Sequence, residues 1–131
     1  MKDARILLVD DEVVFANNIS KLLSRRGYEV KAVNSGDEAL RALMENAFDV
    51  MVLDLKMPGL DGTATIREMN KLGLVTEVLI LTGHGSIDLA LEALQMGAYD
   101  FITKPCGIEE IVSKIEAAFE RKQIKAKKGS A

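Results

Sequence analysis

Five short apolar runs alternate with five amphipathic segments, and that rhythm limits the folds open to this 131-residue chain. The runs are Arg5 to Val9, Tyr28 to Val33, Phe48 to Leu53, Glu77 to Leu81 and Asp100 to Thr103. Each is short and rich in Val, Ile and Leu, the pattern of a strand buried on both faces. The segments between them carry apolar residues three and four apart. The first has Val14, Phe15, Ile19, Leu22 and Leu23 and stops at Gly27; the second has Ala39, Leu40 and Leu43. The third runs from about Thr63 to Leu72 and stops at Gly73. The fourth has Ile87, Leu91 and Leu94, and the fifth Ile108, Ile111, Ile115, Ala118 and Phe119. Ser35 is placed to cap the second helix, with Asp37 and Glu38 in its first turn. Asp61 is placed to cap the third.

Strand–helix alternation repeated five times predicts an α/β domain with a parallel sheet covered on both faces. Right-handed crossovers then favour the flavodoxin-like strand order 2-1-3-4-5, a three-layer (βα)5 sandwich. The length fits one domain, placed at residues 1–124. The basic stretch from 125 to 131 loses the apolar face and reads as a helix end followed by a frayed terminus, a linker remnant or an artificial end. A net charge of −3 argues against general nucleic-acid binding. One cysteine, Cys106, permits no internal disulfide and suits a reducing compartment, so a cytoplasmic location is expected. No apolar run approaches a membrane span, and the first residues lack a signal peptide's apolar core.

In such sheets the functional site lies beyond the carboxyl ends of the strands. "LLVDDE" ends the first strand and supplies Asp10, Asp11 and Glu12. Asp54 ends the third, in "DVMVLDLKMPGLDG"; Thr82 ends the fourth; Lys104 and Pro105 follow the fifth. An Asp at one strand end is by itself a turn or cap residue, and Asp10-Asp11 could cap the first helix, Asp11 in part. Taken together, carboxylates packed on one edge repel, and a hard divalent cation such as Mg²⁺ relieves them. A hydroxyl and a lysine beside them form an inventory for holding a phosphoryl group. Asp54 could then act as a nucleophile. His84 reads as an exposed loop residue or a modulator beside the phosphate. Cys106, Met51, Met57 and Met69 read as packing residues.

"LLVDDE", "VLDLKMPGLDG", "LTGHG" and "YDFITKP", in this order and spacing, resemble the receiver domains of two-component response regulators. The wording from Leu81 to Cys106 is similar to receivers of NtrC-type transcriptional activators, and also to receivers attached to sensor kinases. The resemblance implies that Asp54 is the phosphoacceptor. It implies that Asp10, Asp11, Asp54 and the Lys56 carbonyl hold Mg²⁺, with Mn²⁺ a substitute, and that Thr82 and Lys104 contact the phosphoryl group. Pro58 and Gly59 would shape the loop after Asp54, and Pro105 would follow a cis peptide bond. Phe101 would occupy an aromatic switch position where many relatives carry Tyr, so its inward state would rest on packing alone. The implied partners are a sensor histidine kinase or a histidine phosphotransfer domain, with the first helix as the contact. A second copy could bind through the face of the fourth helix, fifth strand and fifth helix. Neither nucleic acid nor membrane is implied as a direct partner. The chain would promote only its own phosphorylation and dephosphorylation. Two other functions are open to the same residues. A Mg²⁺-dependent phosphohydrolase would place Asp-x-Asp after its first strand and need a substrate pocket. A pseudo-receiver would lack site residues.

Overall fold

A computed structural model describes residues 4–57, 59–83 and 86–129. Its elements follow the expected alternation: β1 Arg5–Val9, α1 Val13–Arg25, β2 Glu29–Val33, α2 Gly36–Glu45, β3 Val50–Asp54, α3 Gly62–Lys71, β4 Glu77–Thr82, α4 Ile87–Gln95, β5 Asp100–Thr103 and α5 Ile108–Gly129. The five strands form one parallel sheet in the order β2-β1-β3-β4-β5. β1, β3 and β4 lie in the middle, and every residue of β3 and β4 is buried.

Side chains alternate across each strand, so the strands feed two separate cores. Leu7, Val9, Met51, Leu53, Val78 and Ile80 face α2, α3 and α4, where Ala39, Leu43, Ile66, Met69 and Ala90 meet them. Ile6, Leu8, Val50, Val52, Leu79, Leu81 and Ile102 face α1 and α5, against Ala16, Ile19, Leu23, Ile111 and Ile115. Met51, Met57 and Met69 are buried packing residues, as expected. No described helix is long and apolar enough to cross a membrane.

The caps at Ser35 and Asp61 form. Ser35 accepts from the Glu38 N–H, and Asp61 accepts from the Ala64 N–H. The cap that Asp10-Asp11 could have supplied does not form. Glu12 takes the N-cap position of α1 without a side-chain bond, and its own N–H donates to Asp10 Oδ1 at 2.9 Å. The Asp10 carboxylate thus closes a local two-residue turn instead of reaching the helix. β2 and β3 start later than expected, at Glu29 and Val50. Tyr28 and Phe48 are nevertheless buried in the cores. α5 continues through position 124 to Gly129. Lys122 binds Asp49 at 2.9 Å and Lys125 binds Glu77 at 3.2 Å, so pairing with the sheet holds turns that lack an apolar face.

Candidate functional site

The carboxyl ends of β1, β3, β4 and β5 meet above the sheet. Register sets the positions: Val9 pairs with Leu53, Asp54 with Leu81, and Thr82 with Thr103. Asp10, Asp54, Thr82 and Lys104 therefore emerge side by side. Asp10 and Thr82 are fully buried and Asp54 nearly so.

Lys104 lies at the centre. Its Nζ is 2.9 Å from Asp10 Oδ2, 3.0 Å from Glu12 Oε1 and 3.9 Å from Asp54 Oδ2. It also sits 4.5 Å from the centroid of the Phe15 ring. Hydrogen bonds to Asp10 and Glu12 outweigh the burial that disfavours its charge, and the ammonium titrates above its ordinary range. One cation thus faces three carboxylates, and the deficit falls on Asp54. Burial and the adjacent Asp10 push its carboxyl up to about 7 from an ordinary 3.8, although Lys104 and the Lys56 N–H pull it down. The Lys56 N–H donates to Asp54 Oδ1 at 3.3 Å.

Asp10, Glu12 and Asp54 each bring one carboxylate oxygen into a group whose members lie within 4.8 Å of one another. This all-oxygen, anionic donor set fits a hard divalent cation. Glu12 was visible in the sequence as the residue after Asp10-Asp11, but not as a member of the cluster. Asp11 is exposed and lines the same cavity, of about 280 Å³, together with Glu12, Asp54, Lys56, Gly83, Ser86 and Lys104. Thr82 does not line it; its Oγ1 donates weakly to the Gly83 carbonyl at 3.4 Å. A larger cavity, about 410 Å³, lies at the opposite end of the sheet, lined largely by apolar residues such as Ile66, Met69, Leu74 and Met96. Among the described residues, the grouped carboxylates lie at the carboxyl edge.

The loop after Asp54 needs two glycines. Gly59 has φ +76°, a left-handed conformation that glycine adopts without strain. Gly62 starts α3 so close to β3 that a Cβ would meet Leu55 Cα at 2.7 Å and the Asp54 carbonyl at 2.9 Å. Asp61 was legible as a cap, but only the packing shows that Gly62 lets α3 close against the Asp54 backbone. Pro58 and His84 lie outside the described residues. The Lys104-Pro105 bond is cis, as expected. Phe101 is half-buried and packs against the core shared with α4. Burial pushes the Cys106 thiol up, in keeping with a packing role.

The response regulator receiver domain family matches residues 6–116. The chain is 36% identical over 119 residues to the transcriptional regulatory protein ZraR of Escherichia coli O157:H7, covering 91% of this chain and 27% of that protein. It is 35% identical over 125 residues to the transcriptional regulatory protein YkoG of Bacillus subtilis, covering 95% of this chain and 55% of that one. The chain thus spans between about a quarter and about half the length of these relatives. Among solved structures, a receiver domain protein from Clostridium thermocellum superposes with a TM-score of 0.87 at 39% identity, covering 92% of this chain and 98% of that one. NtrX from Brucella abortus superposes at 0.91 with 35% identity, covering 98% of this chain and 30% of that one. The fold, the match over residues 6–116 and these relatives place the chain in the response regulator receiver domain family of two-component signalling.

Proposed function

We propose that Asp54 accepts a phosphoryl group from the phosphohistidine of a sensor kinase or phosphotransfer protein, and that the modification switches the face of α4, β5 and α5. The observation that carries this reading is the position of Asp54. It is a nearly buried carboxylate at the end of a central strand, raised by its acidic neighbours and facing one lysine across an open cavity.

In the transfer, an Asp54 carboxylate oxygen forms the new P–O bond as the P–N bond to the donor imidazole breaks. The electron pair of that bond leaves with the imidazole nitrogen. Lys104, already within 3.9 Å of Asp54, is placed to pair with the phosphoryl oxygens. Asp10, Asp11, Asp54 and the Lys56 carbonyl would hold Mg²⁺ or Mn²⁺, as the resemblance implies, and Glu12 brings a further carboxylate to the group it forms with Asp10 and Asp54. A bound divalent ion would neutralise charge gathered on the carboxylates and phosphoryl oxygens.

Thr82 would leave its weak bond to Gly83 and donate to the phosphoryl group, and Phe101 would move into the space released. α4 exposes Ile87 and Leu91, which supports an apolar contact with a second copy or an output partner on this face. Residues 1–124 would form the receiver, with 125–131 leading to whatever follows. The relatives named as transcriptional regulators support an output in transcription carried by another region. Location in the cytoplasm and docking of the kinase on α1 belong to the same reading.

Labelled acetyl phosphate with Mg²⁺ tests the phosphoacceptor. One label per chain is expected, mapped to Asp54 and absent from Asp54→Ala. Equal labelling of the variant would overturn the assignment, and turnover of many phosphate esters would favour a hydrolase instead.

A further inference from the structure

One hydroxyl at the site is held without a bond. Ser86 is 1% exposed, and its Oγ has no hydrogen-bond partner among the described residues. A buried hydroxyl left this way destabilises the state that contains it, which makes it a sign of a partner acquired in another state.

Its place in the chain sharpens the point. Ser86 is the N-cap of α4, where serine Oγ ordinarily accepts from a backbone N–H of the first turn. Ser35 and Asp61 make that bond at their helices, to Glu38 and Ala64. Ser86 does not. Its backbone still starts the helix, its N–H donating to the Gly83 carbonyl at 3.2 Å and its carbonyl accepting from the Ala90 N–H at 3.0 Å, but with ψ at 10° it lacks the extended conformation of Ser35 and Asp61. The hydroxyl is left without the usual capping bond. It lines the same cavity as Asp54, Lys56 and Lys104. The first turn of α4 is left without a side-chain cap beside that cavity, and uncapped helix N–H groups favour an anion.

We propose that Ser86 is a phosphoryl-binding residue, whose hydroxyl donates to an oxygen of the group carried by Asp54. This deepens the phosphoacceptor reading and rests on it, adding a second hydroxyl to that of Thr82. The unphosphorylated chain bears the unpaired hydroxyl; the phosphorylated chain satisfies it. Ser86 thereby tilts the equilibrium toward the modified form from both sides.

The two halves of that statement predict opposite signs for one substitution. The probe is beryllofluoride with Mg²⁺, a phosphoryl mimic that binds a carboxylate, followed by thermal unfolding and by titration. In the free chain, Ser86→Ala should raise the melting temperature by about 2–4 °C, because it deletes an unpaired buried hydroxyl. The same variant should bind beryllofluoride about 10-fold more weakly, the scale of one hydrogen bond to a charged group. Ser86→Thr, which keeps the hydroxyl, should bind within about threefold of the parent. A purely structural serine would move the free and bound melting points together and leave the affinity unchanged, which would overturn the proposal. If the phosphoacceptor reading itself fails, the parent chain will not respond to beryllofluoride at all. A responding parent and an equally tight Ser86→Ala would overturn only the role of Ser86.

Discussion

The two edges of this one sheet treat their acids in opposite ways. At the edge where the strands begin, Glu77 is almost fully buried and Arg121 grips both its carboxylate oxygens, with Lys125 at 3.2 Å. Arg121 also donates to the Gly97 carbonyl at 3.0 Å and stacks 4.9 Å from the centre of the Tyr99 ring. Asp49 accepts from the Arg5 N–H at 2.7 Å and pairs with Lys122 at 2.9 Å. At the edge where the strands end, Asp10, Glu12 and Asp54 share Lys104. The first edge has at least one cation for each acid and holds the C-terminal half of α5 against the sheet. The second has a surplus of negative charge that only a cation or a change of state relieves. Charge matched within the chain serves stability, and charge left unmatched is available for chemistry.

Breaking the matched edge should cost most. Arg121→Met leaves the buried Glu77 carboxylate with Lys125 alone, and a loss of about 3 kcal/mol is expected in urea unfolding, the scale for half of a buried pair. If stability hardly moves, the pairing at this edge is not what holds α5.

The unmatched edge should respond with the opposite sign. The folded chain raises Asp54 to about 7, so its contribution to stability is fully present below about pH 4 and is lost as pH rises through 7. Asp54→Asn removes the titration. In the absence of divalent cations it should match the parent near pH 4 and be the more stable of the two above pH 7. A parallel pH dependence of the two chains would show that Asp54 is not under strain.

Exposed pairs should matter least. Arg5 and Glu29 sit 3.0 Å apart with Glu29 largely in solvent. Glu29→Gln is expected to change stability by less than about 0.5 kcal/mol in the same assay. A larger loss would mean that the amino-terminal edge depends on its surface charges as well as its buried ones.

The sequence shows one of these edges far better than the other. Asp10, Asp54, Thr82 and Lys104 each stand at the end of an apolar run, so a parallel sheet alone brings them together. The caps at Ser35 and Asp61 are local, decided within four residues. Glu77 and Arg121 lie 44 residues apart, and nothing in either segment announces the pair. The same holds for Lys122 and Asp49, which explains why α5 outlasts its apolar pattern. Phe48 and Asp49 read as strand because Phe48 is apolar, but the Asp49 N–H donates to the Arg5 carbonyl at the sheet's margin, outside the β3 ladder. Ser86 carries no signal of its own in the sequence, and only the three-dimensional structure shows its hydroxyl unpaired among the described residues.

The central claim is that the carboxyl edge holds Asp54 in an electrostatic deficit that a cation relieves. A ¹³C titration of the Asp54 side-chain carboxyl reads this directly, with and without Mg²⁺. The account predicts a midpoint near 7 in the absence of the ion and a clear fall when Mg²⁺ is added. A midpoint at the ordinary 3.8 in both conditions would contradict it.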